Sequence, residues 1–219
     1  MAITTSNPQG AIGSGNVNTI TLSYTATAGT SLLLVALATR GASDITGLTI
    51  TYNGVGLTSF GSIRGSTNGN RIDYWYMVNP PTGSAYNIVA DWGNNVGTAI
   101  QAVCLLGTTG TPTDVTPNTG NATGGTQAVV TTSGDIAICL FQHVSTTTLS
   151  GDTTLNSQLQ VTGSNLFTVR TSYAMATSTS TTLTFSSPSS ARFGYITFCV
   201  AAAGGGGGPT YDGKFFQLF

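Results

Sequence analysis

Residues 17–39 read VNTITLSYTATAGTSLLLVALAT, and the apolar residues are arranged differently in the two halves of this stretch. In residues 17–25 apolar and polar residues alternate, which is typical of a strand with one face in water. In residues 31–39 they do not alternate, which predicts a strand that is apolar on both faces. Two later segments, AICLF (137–141) and ITFCV (196–200), show the same continuous pattern.

Strands with two apolar faces need a cover on each side of their sheet. In a two-layer β-sandwich the outer face of each sheet normally meets water. The cover is therefore either a segment of the same chain, for which the long loop 107–125 is the candidate, or a neighbouring subunit. The sequence leaves both possibilities open.

The composition favours an all-β protein of low charge. Charged residues make up 6% of the 219 residues, against about 25% in ordinary soluble proteins. The chain has no Glu, and Lys214 is its only Lys. These good helix formers are replaced by Thr, which is β-branched and suits a pleated strand. We find no segment with a supported helical period.

Eleven strand-like segments are separated by Gly, Asn, Pro and Ser, as in a β-sandwich or barrel. They are residues 17–25, 31–39, 47–52, 71–78, 84–92, 98–106, 126–132, 135–143, 166–176, 181–185 and 192–200. Asn53-Gly54 predicts a tight turn. We therefore predict a single β-sandwich, jelly-roll-like or immunoglobulin-like, over residues 17–203, preceded by an N-terminal arm (1–16).

The last residues, 204–219, predict a Gly-rich linker and an aromatic docking segment. Gly204 to Gly208 form a flexible tether. The segment beyond it carries five large side chains, which are the predicted docking residues: Tyr211, Phe215, Phe216, Leu218 and Phe219. Docking on a partner subunit and folding back onto the same domain as a final strand are both open.

The residue types needed for catalysis or metal binding are scarce. His143 is the only histidine, and it is expected at the end of a strand rather than in a catalytic triad. Cys104, Cys139 and Cys199 lie in apolar runs without a CxxC spacing, which predicts buried thiols rather than disulfides or a zinc site. We expect no enzymatic activity, no cofactor and no patterned metal site.

Bulk charge and hydropathy narrow the range of partners and locations. Five Arg and one Lys at a net charge of −1 make no basic face, which excludes electrostatic binding of nucleic acid. No apolar run approaches the ~18 residues of a membrane span. The N-terminal residues MAITTSNPQG do not have the pattern of a secretory signal, so synthesis in a cytoplasm is expected.

Four stretches carry a resemblance: SLLLVALATRGASDITGLTITYNGVGLTSFGSI (31–63), RIDYWYMVNPPTGSAYNIVADW (71–92), GDIAICLFQ (134–142) and RFGYITFCVAAA (192–203). Together they resemble a β-sandwich module of bacterial extracellular proteins and uncharacterised phage proteins. WYMVNPPTG is its most specific part. The resemblance implies a fold and no active site. A module that makes up nearly the whole chain, with a tethered tail, is more similar to the phage proteins.

These observations lead to one functional expectation and one alternative. We expect a structural protein on the surface of a bacteriophage virion, a capsid decoration or a fibre or tail accessory subunit. It would contact other virion proteins and copies of itself, with a trimer as the hypothesis, through apolar sheet faces and its tail. The alternative is an extracellular carbohydrate-binding or adhesin module that stacks a host-surface glycan on aromatic rings; its candidates are Tyr74, Trp75, Tyr76 and Trp92.

Overall fold

The computed structural model describes residues 2–64, 70–145, 148–162 and 166–204, apart from the side chains of residues 121, 156, 157 and 191. These residues form an all-β fold of antiparallel sheets packed together, as predicted, with no helix in the described ranges. Its fourteen strands are β1 (Thr4–Ile12), β2 (Val17–Tyr24), β3 (Thr30–Arg40), β4 (Thr49–Tyr52), β5 (Val55–Gly56), β6 (Thr58–Arg64), β7 (Arg71–Val78), β8 (Tyr86–Leu106), β9 (Thr113–Val130), β10 (Ile136–His143), β11 (Ser150–Gly151), β12 (Thr153–Val161), β13 (Phe167–Met175) and β14 (Ser180–Val200).

The strands pair into two sheets, one from each half of the chain. The N-terminal sheet has the order β5-β4-β8-β3-β7-β6, and β1 and β2 also pair with β8. The C-terminal sheet has the order β11-β14-β10-β13-β12, and β9 also pairs with β14. Each sheet therefore contains one long strand, β8 or β14, that pairs with more than two neighbours.

The long strand β8 bends at a bulge and contributes to two layers. It is 21 residues long, and its partner β2 pairs Thr19 with Asp91 but Val17 with Val96. The extra residues on β8 kink the strand at this point. Its first half, paired with β2 and β4, packs on the outer face formed by its own second half and β3.

The long strand β14 bends in the same way. It also has 21 residues, and its partner β9 pairs Gly124 with Ser186 but Ala122 with Ala191. The first half of β14 and the second half of β9 pack on the outer face of β10 and of the second half of β14. The ribbon of β9 and β14 is thus folded over at its middle.

The fold consequently has four layers, named here by the half of the chain that supplies them. The N-outer layer contains β2, β4, β5 and the first half of β8, and the N-inner layer contains β1, β3, β6, β7 and the second half of β8. The C-inner layer contains β10, β12, β13 and the second half of β14 with the start of β9. The C-outer layer contains β11, the first half of β14 and the end of β9.

A hydrophobic core fills each of the three spaces between layers. The central core joins the inner layers through residues such as Leu34, Ile138 and Phe198. The N-outer core contains the opposite faces of the same strands, with Leu33, Val35 and Leu37 from β3. The C-outer core has Ala137, Cys139 and Phe141 from β10. Strands β3 and β10 are apolar on both faces because each lies between two cores.

This arrangement answers the question of what covers the outer sheet faces. The covers are the folded-over halves of β8 and β14 with their partner strands, all from the same chain. The expectation that a neighbouring subunit covers the apolar sheet faces, or that residues 107–125 cover them as a loop, is therefore not met. The exposed residues of the outer strand β2 carry hydroxyl or amide groups; they are Asn18, Thr19, Thr21 and Ser23.

The two halves of the chain have the same pattern of strand pairing. Strand β3 lies between β7 and β8 as β10 lies between β13 and β14, and β6 pairs with β7 as β12 pairs with β13. Strands β4 and β11 both pair with the first half of the long strand. Strands β1 and β2 flank β8 as the two ends of β9 flank β14. The structure is an internal duplication at the level of topology.

The equivalence extends to individual residues. Cys104 pairs with Leu33 in the N-terminal half, and Cys199 pairs with Ala137 at the matching place in the C-terminal half. Both thiols are buried and free, as the sequence predicts. The bulges also match. In each, a shift of two residues along the shorter strand (β2 or β9) corresponds to a shift of five residues along the long strand (β8 or β14).

Two segments differ from the boundaries that the sequence suggests. Residues 4–12, expected in an arm before the sandwich, form β1 and pair with the second half of β8. Residues 113–125, expected in a loop, belong to β9 and pair with β14 along nearly its whole length. Both strands lie at sheet edges, where a strand can be polar and rich in Gly or Pro.

Candidate docking surface at one end of the sandwich

Strands β3 and β10 begin at the same end of the molecule, and the described chain finishes there. The Asn79 amide donates to the Ser31 carbonyl (3.0 Å), and the Ala203 amide donates to the Gly107 carbonyl (2.7 Å). An isolated bridge pairs Thr108 with Ala202. We call this end, with Gly204 as its last described residue, the exit end.

A buried carboxylate holds the exit end together. Asp135 accepts hydrogen bonds from the amides of Thr132 (2.7 Å) and Ala202 (3.0 Å), so it joins the turn before β10 to the segment after β14. The Cys199 thiol lies 3.6 Å from the same carboxylate. Burial and the nearby negative charge of Asp135 raise the pKa of Cys199 to about 12, so this thiol stays protonated at neutral pH.

Two hydroxyl contacts fix the N-terminal side of the exit end. The Ser31 hydroxyl lies 2.7 Å from the Thr108 hydroxyl, and the Thr108 amide donates to Ser31 Oγ at 3.1 Å. The Tyr52 hydroxyl donates to the Pro81 carbonyl at 3.3 Å, which ties the Asn53-Gly54 turn to the loop after β7. That turn joins β4 to β5 with positive φ at both residues, as the sequence predicts.

Large hydrophobic side chains are exposed at this end. Among the described residues, five such side chains are exposed: Ile12 (49%), Val55 (57%), Val78 (46%), Val130 (69%) and Met175 (41%). All but Ile12 lie where a strand meets a turn of the exit end. Ile12 lies at the opposite end of its sheet, where it pairs with Ala99.

The four side chains at the exit end are distributed one to a layer. Val55 is in the N-outer layer, Val78 in the N-inner layer, Met175 in the C-inner layer and Val130 in the C-outer layer. Val78 and Met175 occupy equivalent positions in the two halves, since Val78 pairs with Leu32 and Met175 with Ile136. The exit end thus presents a row of aliphatic groups across the whole thickness of the fold.

The sequence alone does not predict this row. A single Val or Met before a turn gives no signal on its own, because isolated apolar residues are common on surfaces. Only the topology shows that four such residues share one end. Strands β7 and β13 occupy equivalent places in the two halves, and each ends in an apolar residue. This repeat is the signal that could have identified two of the four residues, Val78 and Met175.

The predicted docking residues Tyr211, Phe215, Phe216, Leu218 and Phe219 lie outside the described residues. The structure does describe the point from which they start, since Gly204 follows the Thr108–Ala202 bridge at the exit end. The described chain therefore finishes at the end that carries the exposed aliphatic row.

The four aromatic residues of the glycan alternative do not form a common platform. Tyr74 is buried in the central core, with its ring 4.7 Å from that of Phe198, and Trp92 is buried in the N-outer core. Trp75 and Tyr76 are half-buried, and as neighbours on β7 they point to opposite faces of the sheet. Two rings are thus closed to a ligand, and the other two cannot stack on the same sugar.

His143 lies inside the C-terminal half, away from solvent. The side chain is fully buried, and Nδ1 lies 2.7 Å from Ser145 Oγ and 3.5 Å from Ser187 Oγ. Burial lowers the pKa of this imidazole, which favours its neutral form. One neighbouring hydroxyl follows β10 and the other lies on β14, so His143 forms an internal polar contact between these two segments.

The acidic residues near the tryptophans have different environments. Asp73 is buried and forms a two-pronged ion pair with Arg71, at 2.7 Å from both Nε and Nη2, although burial still raises the pKa of this carboxyl. Arg71 also donates to the Ile45 carbonyl (3.2 Å). Asp91 is exposed on β8. Asp73 is thus enclosed with Arg71, Asp91 faces solvent, and the bond from Arg71 to the Ile45 carbonyl ties β7 to the loop before β4.

No group of three or more His, Cys or Asp side chains suited to a metal ion occurs within the described ranges. A search of the same residues finds no helix long and apolar enough to span a membrane. No protein-family model matches the chain, and neither the curated proteins nor the solved structures gave a match.

Proposed function

We propose that the protein is a non-enzymatic structural component of a bacteriophage particle, a capsid decoration or a fibre or tail accessory subunit, that docks through its exit end. The observation that carries the proposal is the position of the exposed aliphatic row at the end from which the aromatic C-terminal segment starts. An attachment site of this kind needs apolar surface and an anchor; the exposed aliphatic row supplies the first, and we assign the second to the aromatic C-terminal segment.

The scaffold behind this end suits a structural role. Four layers and three cores hold the exit end in a fixed geometry, and the buried Asp135 joins two of its segments. The outer strand β2 exposes hydroxyl groups rather than a charged or aromatic site. The assignment to a phage particle is supported by the resemblance of WYMVNPPTG (75–83) and its flanking strands to phage proteins.

The test is whether attachment to a particle depends on the C-terminal segment. The full chain is mixed with particles that lack it and separated by density-gradient centrifugation. We expect the full chain to travel with the particle. A chain of equal length should remain at the top of the gradient when five residues are changed to Ser: Tyr211, Phe215, Phe216, Leu218 and Phe219.

A variant with Ile12→Ser provides the control, because Ile12 is equally exposed but lies at the opposite end. It should bind the particle as the unaltered chain does. If the full chain never associates with a particle and instead binds a glycan on an array, the adhesin alternative replaces the proposal.

A further inference from the structure

A small group of polar side chains lies inside the central core, where the two inner layers face each other. Tyr74 on β7 belongs to the N-inner layer, and Thr171 on β13 belongs to the C-inner layer. Gln101 on β8 joins them, since Thr171 Oγ1 donates to Gln101 Oε1 at 2.6 Å. Each of the three residues is only 2% exposed, so bulk solvent does not satisfy their polar atoms.

The Tyr74 hydroxyl stands apart within this group. It is buried and has no hydrogen-bond partner among the described residues. Burial raises the pKa of Tyr74, and the nearby Thr171 side chain lowers it in part, so the two hydroxyls are close to each other. They do not meet at hydrogen-bonding length and angle. A buried hydroxyl in this position is costly, because it has given up its hydrogen bonds to solvent without replacing them.

A cavity of about 10 Å³ adjoins the two hydroxyls. Tyr74, Gln101 and Thr171 supply its polar wall, and both inner layers contribute to its aliphatic wall, which consists of Leu34, Ala36, Val103, Ile138 and Leu155. One buried water needs about 10–15 Å³ on the same measure, so the cavity has room for a single water and for nothing larger. None of these lining residues is charged, so a bare ion would lack a counter-charge there.

The hydrogen-bonding groups at the cavity call for a ligand that both accepts and donates. The hydroxyl hydrogen of Thr171 is used on Gln101, so Thr171 Oγ1 offers lone pairs to the cavity and acts there as an acceptor. The Tyr74 hydroxyl still has its hydrogen to donate. We propose that the cavity binds one structural water molecule, which accepts a hydrogen bond from Tyr74 and donates one to Thr171.

The two hydroxyls occupy equivalent positions of the duplicated fold. Tyr74 lies four residues before Val78 on β7, and Thr171 lies four residues before Met175 on β13. The water thus joins the two halves of the chain through one hydroxyl from each. Apolar packing tolerates small shifts of one sheet against the other, whereas a shift here would leave buried polar groups unpaired. The site therefore fixes how the two halves face each other.

A high-resolution crystal structure of the full chain tests the proposal directly. We expect one density peak in the cavity, at about 2.5–3.0 Å from both Tyr74 Oη and Thr171 Oγ1. An empty cavity overturns the proposal. A direct hydrogen bond between the Tyr74 hydroxyl and Thr171 or Gln101, with no peak between them, also overturns it.

A double-mutant cycle tests the bridge in solution, with Tyr74→Phe, Thr171→Val and the double variant compared by urea denaturation. Tyr74→Phe alone should raise the equilibrium constant for unfolding about fivefold, as expected for one lost hydrogen bond. In the Thr171→Val background it should raise the constant less than about twofold, because the bridge is already broken. Tyr74→Phe that is neutral or stabilising overturns the proposal, since removal of an unpaired buried hydroxyl has that effect.

Tyr24→Phe is the matched control for the cycle. Tyr24 is equally buried, but its hydroxyl donates to Cys104 Sγ (3.2 Å) in the N-outer core, on the other side of the N-inner layer. Its effect on the unfolding constant should be the same with Thr171 and with Thr171→Val. Equal effects of Tyr74→Phe in the two backgrounds would overturn the bridge.

Discussion

Gly124 lies against the backbone of Phe185 at the fold in the β9–β14 ribbon, and a Cβ atom at residue 124 would be 2.2 Å from the Phe185 carbonyl oxygen. The φ angle of Gly124 is +147°, a conformation that other residues rarely adopt. The fold-over that creates the C-outer layer therefore depends on a position where only glycine fits. This one contact links a local backbone requirement to the four-layer architecture.

The first prediction concerns this position. Gly124→Ala should lower the free energy of unfolding by about 3 kcal/mol, because the new methyl group forces the two backbones apart and strains φ. Urea denaturation followed by tryptophan fluorescence measures the change. Gly56→Ala is the matched control: Gly56 is also in a strand, has no atom within 4 Å of the added Cβ, and should change stability by less than about 0.5 kcal/mol. Equal effects of the two substitutions would show that the close approach is not required.

The second prediction concerns the exit end. Asp135→Ala should destabilise the protein by about 2–3 kcal/mol, because the buried amide of Ala202 and the partly buried amide of Thr132 lose their acceptor. Hydrogen exchange should show faster exchange at both amides. Asp91→Ala, at an exposed carboxylate, is the control and should change stability by less than about 0.5 kcal/mol. Unchanged exchange at Ala202 in Asp135→Ala would contradict the bridging role.

The contrast between β3 and β9 shows how far the sequence predicts this fold. Strand β3 is evident from SLLLVALA, because a run that is apolar on both faces can only be buried on both faces. What covers it is not evident. On one face the cover is β2, β4 and the first half of β8, and on the other it is the C-inner layer, about 100 residues away along the chain. The position of these segments depends on two bulges that no local pattern indicates.

Strand β9 is an example of what local rules miss. Its sequence TDVTPNTGNATGGTQAVV resembles a loop, because Pro and Gly disfavour strands. It is a strand because the rings of its partner fill the space above the glycines. A Cβ at Gly120 would be 2.8 Å from the Phe193 ring, and one at Gly125 would be 3.2 Å from the Phe185 ring. This pairing of glycine with an aromatic residue is a tertiary feature.

The docking segment stays a prediction from the composition of residues 204–219, since its aromatic residues lie outside the described part of the chain. The aliphatic row at the exit end becomes visible only when the strand ends are placed together. The aromatic platform suggested by Tyr74 and Trp92 could not be judged from the sequence. Whether a ring on a strand faces the core or solvent depends on how many layers the fold has, and here both faces of β7 are covered at Tyr74 and its neighbours.

The third prediction concerns the buried ion pair. Arg71→Ala should lower the free energy of unfolding by about 3–5 kcal/mol, since it leaves the carboxylate of Asp73 buried without its partner. The loss should be smaller at pH 4.5 than at pH 7, because burial already raises the pKa of Asp73 and protonation removes the unpaired charge. Chemical denaturation at the two pH values measures both effects.

Arg64→Ala controls for the loss of a positive charge near the same cluster. Its side chain is 62% exposed and pairs with Asp44, so the substitution should cost no more than about 1 kcal/mol at either pH. A loss in Arg71→Ala as small as that in Arg64→Ala would mean that water reaches Asp73 and that the pair is not structurally required.

The last prediction concerns the pH dependence that His143 introduces. Burial lowers the pKa of its imidazole in the folded state, so between that value and the unfolded pKa of about 6.5 the unfolded chain binds a proton that the folded chain does not. Stability should therefore be fully present above pH 6.5 and fall as the pH drops below it, by at most about 1.4 kcal/mol per pH unit for one proton. Urea midpoints from pH 7.5 to pH 4.5 measure this slope.

His143→Gln is the control for this prediction. It keeps a polar side chain beside Ser145 but does not titrate, so its stability should be nearly flat between pH 7.5 and pH 5.5. The raised pKa of Asp73 gives a pH dependence of the opposite sign, and this contribution is common to both proteins. Parallel pH curves for the two proteins would show that His143 is protonated within the fold and that its burial does not resist charging.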